Sequence, residues 1–216
     1  MAVNLPVNVP IVVVGCGGFG REVHDVVDAL GSAWDLVGYV DDDPSPANVA
    51  LVERRGGRVI GGTSWFAGAP PETRYVIGIG SGSTRRRIDE RLTAAGFEPA
   101  VLVHPTATVG ADVRLGPGTV LCAGVRLTTN IETGRHVHVN LNSTVGHDVR
   151  VGDYVTINPL VAVSGSVTLG DEVTMGTHSA ILQGLTVGPR SVAGAGACLV
   201  KDVPADVVVK GVPARP

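Results

Sequence analysis

The stretch Val139-Asn-Leu-Asn-Ser-Thr-Val145-Gly-His-Asp-Val-Arg-Val151-Gly-Asp-Tyr-Val-Thr-Ile157 places a large aliphatic residue at every sixth position. The same spacing runs without a slip through residues 103–199, where only Thr133 and Ala193 are not large and apolar. An α-helix repeats every 3.6 residues and a β-strand every two, so neither produces a period of six by itself. A short repeat kept over this length indicates a solenoid, in which each repeat buries its apolar face against its neighbours.

Two further columns of the repeat describe one flat side of a narrow tube. A second inward residue of small or medium size comes four positions after each aliphatic, as at Val125 and Val137. The position directly after each aliphatic is usually glycine or a small polar residue, and we expect positive φ there, at a corner between sides. If three sides close one turn, residues eighteen apart stack. An ordinary β-sandwich is the alternative, but it would need irregular turn lengths.

The first hundred residues follow a different pattern, with strands and helices in alternation. Strands are predicted at Pro10–Gly15, Leu36–Val40 and Arg74–Ile79, and helices at Arg21–Leu30 and Thr84–Ala95. Alternation of this kind implies a small parallel α/β sheet. The sequence therefore predicts a small Rossmann-like α/β domain over residues 1–100 and a parallel β-helix of hexapeptide repeats over residues 101–216.

The segment Gly15-Cys-Gly-Gly-Phe-Gly20 joins the first predicted strand to the first helix. Gly17 and Gly18 would let the backbone approach a diphosphate, and the helix N-terminus would supply N–H donors. Asp41 or Asp42, at the end of the next strand, could accept hydrogen bonds from a ribose or a base. Alternatively, the glycines only allow close strand–helix packing. An NAD-dependent dehydrogenase is another alternative for this half, but it leaves the coil unexplained.

Composition excludes several classes of protein. The 216 residues carry a net charge of −3, which gives no electrostatic case for binding nucleic acid or an anionic membrane. The cysteines Cys16, Cys122 and Cys198 have no metal-ligand spacing, which favours reduced thiols. The apolar run Ile11–Val14 is too short for a signal-peptide core or a membrane span. We therefore expect a soluble cytoplasmic protein.

The coil carries histidines that a β-helix does not need for folding. His147 is followed directly by Asp148, on the outer surface two positions past an inward valine. Histidine is the natural general base at neutral pH, and a neighbouring carboxylate can fix its tautomer and stabilise the imidazolium. Asn140 lies seven residues earlier, and Gly165 lies eighteen residues later, where bare backbone would let a thioester carbonyl approach. The pattern favours catalysis over a surface histidine with no role.

Zinc is the alternative use of these histidines. A tetrahedral site needs three of them, drawn from adjacent coils or chains. His136 and His138 are two residues apart, and their neighbours one coil later are not histidines. His147 belongs to another column, and we expect His178 to be solvated or at an interface. The sequence therefore predicts no metal site.

The coil and its ending, Gly194-Ala-Gly-Ala-Cys-Leu-Val-Lys-Asp-Val-Pro-Ala-Asp-Val-Val-Val-Lys-Gly-Val-Pro-Ala-Arg215, resemble those of the left-handed β-helix acyltransferases. The N-terminal glycine segment and the Asp41-Asp-Asp43 turn narrow the resemblance to the sialic acid O-acetyltransferase NeuD family. That family includes nucleotide-sugar N-acetyltransferases such as PglD and perosamine N-acetyltransferase. The similarity covers essentially the whole chain. The left hand of the helix comes from the resemblance, because a period of six does not fix it.

The resemblance implies a homotrimer of parallel coils, with acetyl-CoA in the groove between neighbours and the acceptor carried by the α/β domain. The family's catalytic histidine falls on His147, its acidic partner on Asp148, and an active-site asparagine on Asn140. The implied binding residues form two sets, nucleotide-sugar contacts at Gly17, Gly18, Phe19, Asp41, Asp42 and Gly80, and pantetheine contacts near Gly165, Thr177 and Ala195.

The chain departs from the family pattern at two positions. Phe19 stands where the family often has histidine or another polar residue, which leaves the identity of the sugar open. Thr156 stands where some members have a second histidine. His138 precedes Thr156 by one coil in the same column and would fill part of that space.

The sequence as a whole predicts an acetyl-CoA-dependent N-acetyltransferase that acts on the amine of a nucleotide-linked amino sugar. The predicted acceptor is a 4-amino-4,6-dideoxyhexose carried by UDP, GDP or dTDP. O-acetylation of a sialic acid or another sugar is the alternative acceptor chemistry. A non-catalytic sugar-nucleotide-binding scaffold and a zinc hydratase are the alternatives from other classes.

Overall fold

Two structural units make up residues 8–216, the part of the chain that this computed structural model describes. The first unit comprises the described residues up to Gly80 together with Thr84–Ala100. The second comprises Ser81–Ser83 together with Val101–Pro216. Among the described residues, no helix combines the length and the hydropathy that crossing a membrane requires.

The first unit is built on a five-stranded parallel sheet with helices between its strands. The strands are β1 (Val9–Val14), β2 (Trp34–Val40), β3 (Val59–Gly61), β4 (Arg74–Ile77) and β5 (Glu98–Pro99), in the order β3-β2-β1-β4-β5. The helices are α1 (Gly18–Ala29), α2 (Pro46–Arg54) and α3 (Gly82–Ala94), with 3-10 turns at Gly31–Ala33 and Thr63–Gly68. The predicted Rossmann-like α/β class is confirmed.

Several element bounds differ from the prediction. Helix α1 begins at Gly18, because Gly17 already acts as its N-cap residue. Strand β4 ends at Ile77 rather than Ile79, and a Cβ on the next residue, Gly78, would lie 2.5 Å from the Cα of Gly20. Helix α2 was not predicted, although Ser45 caps it by accepting a hydrogen bond from the amide of Asn48 at 3.2 Å.

The second unit is a triangular coil whose three sides are parallel sheets of very short strands. Residues eighteen apart are register partners, so Val145 pairs with Val163 and Val163 with Ile181. Side one contains Leu102–Val103, Val120–Leu121, His138–Val139, Thr156–Ile157, Thr174–Met175, Val192–Ala193 and Val208–Val209. Side two contains Thr108–Val109, Arg126–Leu127, Thr144–Val145, Ala162–Val163, Ala180–Ile181 and Cys198–Leu199. Side three contains Val113–Arg114, Ile131–Thr133, Arg150–Val151, Thr168–Leu169 and Thr186–Val187.

The interior of the coil is the predicted aliphatic column. Val145, Val163 and Ile181 are at most 3% exposed, and the second inward residue, as at Val149 and Val167, is completely buried. Each coil therefore covers the apolar residues of the next, and this burial is the main stabilising contribution of a solenoid. The left-handed parallel β-helix is confirmed, and the β-sandwich alternative is wrong.

The prediction of positive φ directly after each aliphatic is wrong. Left-handed backbone occurs three positions after the aliphatic instead, as at Asn142 (φ 57°), Asp148 (φ 60°) and Ser166 (φ 57°). Glycine follows the aliphatic for a different reason, which is space. A Cβ on Gly146 would lie 2.7 Å from the backbone nitrogen of the coil above, and one on Gly176 would lie 2.6 Å from a carbonyl oxygen of the coil above.

Candidate active site

The His147–Asp148 pair lies at the corner between sides two and three of the coil. The Nδ1 atom of His147 is 2.7 Å from the Oδ2 atom of Asp148. The two side chains are 50% and 56% exposed, so water reaches both. Because a carboxylate only accepts hydrogen bonds, the bond requires the proton on Nδ1 and leaves the Nε2 lone pair free to accept a proton. The structure therefore shows the geometry of a base with a carboxylate partner.

Gly165 lies directly against the imidazole of His147. A Cβ at position 165 would lie 2.5 Å from Cε1 and from Nε2 of that ring. The amide of Ser166 donates to the carbonyl oxygen of His147 at 2.7 Å, which joins the two coils at this corner. Within residues 8–216, no hydrogen bond engages the amide N–H of Gly165. The predicted neighbours are thus brought together, with a free N–H donor on the residue beside the ring.

Asn140 lies at another corner, between sides one and two. Its carboxamide nitrogen donates to the carbonyl oxygen of Ile157 at 3.1 Å, and its Oδ1 faces the thiol of Cys122 at 3.9 Å. The residue is 5% exposed. Within one chain, its side chain connects successive coils, and no described contact joins it to His147.

Thr177 and Ala195 occupy the same corner as Asn140, on later coils, and both are exposed. The amide of Gly196 donates to the carbonyl oxygen of Thr177 at 2.8 Å, so these residues stack on one another. The predicted pantetheine contacts therefore divide between two corners of the chain. Gly165 is on the corner of His147, and Thr177 and Ala195 are across side two from it.

The remaining histidines of the coil are not arranged as a metal site. The ring of His136 stacks on Tyr154, with centroids 5.9 Å apart and planes 4° from parallel. His138 is the register partner of Thr156, as predicted, and is completely buried. His178 is exposed at a corner. No group of three or more histidine, cysteine, aspartate or glutamate residues in the described part of the chain has a geometry that could hold a metal ion.

In the first unit, the glycine segment divides between the two uses considered for it. A Cβ on Gly17 would meet nothing within 4 Å, and one on Gly18 would only approach the end of Arg21. A Cβ on Gly20, in contrast, would collide with the carbonyl oxygen of Gly15. Gly20 is therefore required for strand–helix packing, whereas Gly17 and Gly18 leave open space at the N-terminus of α1.

The two aspartates at the end of β2 have different surroundings. Asp41 accepts from the amide of Cys16 at 2.9 Å and so lies beside the glycine segment. Asp42 accepts from the amide of Thr63 at 2.6 Å and contacts the guanidinium of Arg91 at 3.4 Å. The amide of Thr63 contributes most to holding the pKa of Asp42 below its usual value. Asp41 thus helps to shape the predicted nucleotide edge, and Asp42 lines a separate cavity of about 680 Å³.

Gly80 and Phe19 complete the predicted set. The carbonyl oxygen of Gly80 accepts from the guanidinium of Arg85 at 2.8 Å, and Arg85 is completely buried. Phe19 is in the first turn of α1 and is partly exposed. Because the carboxyl ends of parallel strands share one sheet edge, the segments after β1, β2 and β4 meet there.

The sequence prediction missed two residues that shape this edge. Arg21 donates to the carbonyl oxygen of Cys16 at 2.9 Å and to the Oδ1 of Asn48 at 3.0 Å. A cation therefore fixes the glycine segment from inside the first turn of α1. Its position directly after Gly20 was the available signal, but Asn48 comes from helix α2, which the sequence pattern did not reveal.

Comparison with known proteins identifies relatives of both units. The family profile of the PglD N-terminal domain matches residues 10–92. GDP-perosamine N-acetyltransferase of Escherichia coli O157:H7 is 32% identical over 145 residues, which are 64% of this chain and 62% of that protein. UDP-N-acetylbacillosamine N-acetyltransferase of Bacillus subtilis is 27% identical over 123 residues, 52% of this chain and 51% of that protein. The matched regions thus span about three fifths and about half of these two relatives.

Solved structures match over nearly the whole length. The acetyltransferase domain of PglB from Neisseria gonorrhoeae has a TM-score of 0.86 and 33% identity, covering 97% of this chain and 100% of that one. The same domain has been solved in complex with acetyl coenzyme A. PerB from Caulobacter crescentus, in complex with CoA and GDP-perosamine, has a TM-score of 0.85 and 28% identity, covering 95% of this chain and 96% of that one.

Proposed function

The chain belongs to the PglD-like family of nucleotide-amino-sugar N-acetyltransferases, and we propose that it transfers the acetyl group of acetyl-CoA to the amine of a nucleotide-linked amino sugar. The proposed acceptor class is a 4-amino-4,6-dideoxyhexose on a nucleoside diphosphate. One relative, PerB, has been solved with CoA and GDP-perosamine, which supports this proposal, and so does the hydrogen-bonded pair of His147 and Asp148. That pair is the single structural observation on which the chemistry depends.

In the proposed reaction, the amine nitrogen of the sugar attacks the thioester carbon of acetyl-CoA. Nε2 of His147 takes the proton that the nitrogen loses, and the carboxylate of Asp148 stabilises the imidazolium that forms. The free N–H of Gly165 donates to the oxyanion of the tetrahedral intermediate. Collapse of the intermediate breaks the carbon–sulfur bond, and the leaving CoA thiolate takes the proton from the His147 imidazolium, which restores the neutral base.

We assign the two substrates to the two parts of the chain. Residues 1–100 would bind the nucleotide sugar, with Gly17, Gly18, Phe19, Asp41 and Gly80 along the sheet edge. The open space at Gly17 and Gly18 supports this assignment, because an anionic diphosphate is stabilised at a helix N-terminus. Asp42 is a weaker member of the set, since Thr63 and Arg91 already occupy its carboxylate.

Residues 101–216 would form the acetyltransferase domain, and we propose that it works as a homotrimer in the cytoplasm. The positions of the proposed pantetheine contacts support a trimer, because Gly165 is on one edge of side two and Thr177 and Ala195 are on the opposite edge. Side-by-side packing of coils would place the first corner of one copy beside the second corner of the next. Asn140 would then contribute to the site from the neighbouring copy.

Turnover with defined acceptors tests the proposal. Release of the CoA thiol is measured with UDP-, GDP- and dTDP-linked 4-amino-4,6-dideoxyhexoses, and the control acceptors carry a hydroxyl in place of the amine. We expect release with an amine and none with the matched hydroxyl. His147→Ala should lower turnover by about 10²–10⁴-fold. Turnover only with hydroxyl acceptors would identify an O-acetyltransferase, and nucleotide-sugar binding without thiol release would identify a scaffold.

A further inference from the structure

The glycine at position 165 leaves the space of its missing side chain to an imidazole ring. Gly118 does the same for the ring of His136, but Gly118 has φ of 76°, which itself favours glycine, whereas the φ of Gly165 is outside the left-handed region. The three atoms nearest to a Cβ at this position all belong to the imidazole of His147, Cε1 and Nε2 at 2.5 Å and Cδ2 at 3.0 Å. A Cβ on Gly146 would instead meet backbone, the nitrogen of Gly165 at 2.7 Å and the carbonyl carbon of Ser164 at 2.8 Å. Gly146 therefore lets coils stack, whereas Gly165 makes room for a ring.

The corner itself does not require glycine at this position. The equivalent positions one coil before His147 and one coil after Gly165 are Thr129 and Gln183, which both carry side chains. The φ of Gly165 is outside the left-handed region, so alanine could adopt the same backbone. Neither stacking nor backbone conformation accounts for glycine here, and the contact with the imidazole does.

We propose that Gly165 is a positioning residue that sets the orientation of the His147 ring, an inference that rests on the proposed function of that histidine as the base. With hydrogen in place of a Cβ, the ring lies over Gly165 and turns its Nδ1 to the carboxylate of Asp148. The Nε2 edge then lies on the residue whose free N–H is the proposed oxyanion donor. One small residue thus brings the base and the oxyanion donor to the same point.

A side chain at position 165 would displace the ring rather than the coil. The hydrogen bond from the amide of Ser166 to the carbonyl oxygen of His147 holds the backbones of the two coils in place. The imidazole is the movable part, since it is half exposed and ends a flexible side chain. Rotation away from position 165 would break its 2.7 Å bond to Asp148. Gly165→Ala should therefore fold normally and lose the catalytic geometry.

A double-mutant cycle tests this proposal. Gly165→Ala and the control Gly146→Ala are each made alone and combined with His147→Ala, and kcat, KM for acetyl-CoA and Tm are measured for every variant. We expect Gly165→Ala to lower kcat by about 10- to 100-fold, because displacements near 1 Å have effects of this size. Tm should stay close to that of the parent chain. KM for acetyl-CoA should change by less than kcat, because alanine keeps the backbone groups through which position 165 is proposed to contact pantetheine. Once His147 is alanine, adding Gly165→Ala should not change the remaining rate.

The control should behave differently, because its clash is with backbone. Gly146→Ala should lower Tm by the same amount with and without the imidazole. In addition, ¹⁵N spectra of the histidine rings should show the Nδ1–H tautomer of His147 in the parent chain and a mixture of tautomers in Gly165→Ala. A purely structural role of Gly165 would not change that spectrum.

Two results would overturn the inference. The first is a parental kcat in Gly165→Ala. The second is an equal loss of rate or of acetyl-CoA affinity in both His147 backgrounds, which would mean that Gly165 acts on the coenzyme alone. Failure of the proposed function is recognised separately, because His147→Ala itself would then keep its activity.

Discussion

Replacement of Asp148 by asparagine separates the charge of the carboxylate from its shape. Asp148 has φ of 60°, a left-handed conformation that asparagine adopts at lower cost than alanine. The substitution therefore keeps the backbone of the corner, and the amide oxygen can still accept from Nδ1 of His147. What is lost is the negative charge beside the imidazolium that forms during the reaction.

The size of the effect follows from the exposure of the pair. Two unit charges about 4 Å apart attract by about 1 kcal/mol in bulk water and about 4 kcal/mol at an effective dielectric constant near 20. Since the side chains are 50% and 56% exposed, the lower part of this range applies, about 1–2 kcal/mol. At about 1.4 kcal/mol for each factor of ten, Asp148→Asn should lower kcat by about 5- to 30-fold.

The assay is steady-state turnover at saturating acetyl-CoA, with Tm measured on the same preparations. We expect the loss in kcat with a Tm close to that of the parent, because an exposed ion pair contributes little to stability. A kcat within twofold of the parent would refute the role given to Asp148. A loss of kcat that tracks a large fall in Tm would show that the carboxylate is structural.

Three further expectations concern stability. Ile181→Ala should lower the free energy of unfolding by about 2–5 kcal/mol in urea titrations, since the residue is 1% exposed. The control, Thr144→Ala at an exposed position, should change it by less than about 0.5 kcal/mol. Equal effects of the two variants would contradict the placement of Ile181 inside the coil. Gly20→Ala should destabilise the first unit by about 1–3 kcal/mol through its clash with a carbonyl oxygen, whereas Gly17→Ala should leave Tm unchanged. Burial lowers the pKa of His24, so His24 of the unfolded chain is protonated before His24 of the folded chain as pH falls below about 6.5. The free energy of unfolding should therefore decline in this pH range in the parent and decline less in His24→Gln. Identical pH profiles of the two proteins would refute this reasoning.

The coil could be predicted from sequence because the length of its repeat determines which residues point inward. A strict period of six gives the inward column directly, and Val145, Val163 and Ile181 pair as that column requires. The reason for glycine at the corners of the coil was harder to predict. Both positive φ and close contact favour glycine, and sequence alone does not separate them. The glycines after each aliphatic turned out to meet backbone of the next coil, as Gly146 does.

The site could be predicted only where its residues are close along the chain or along the coil. His147 and Asp148 are adjacent in sequence, and Gly165 follows His147 by eighteen residues, one full turn of the coil. The repeat therefore places all three residues together. Asp41 and Asp42 are also adjacent, yet they point to different partners, because tertiary contacts with Cys16 and Thr63 decide where each carboxylate goes. Such contacts leave no periodic signal in the sequence.

Rapid-quench measurement of acetyl transfer in a single turnover tests the central claim most directly. Preformed complexes of acetyl-CoA with the parent chain and with His147→Asn are mixed with the nucleotide-linked amino sugar, and the acetylated sugar is quantified over time. We predict equal binding of acetyl-CoA and a transfer rate that is about 10²–10⁴-fold lower in the variant. Transfer at the parental rate in His147→Asn would contradict this claim.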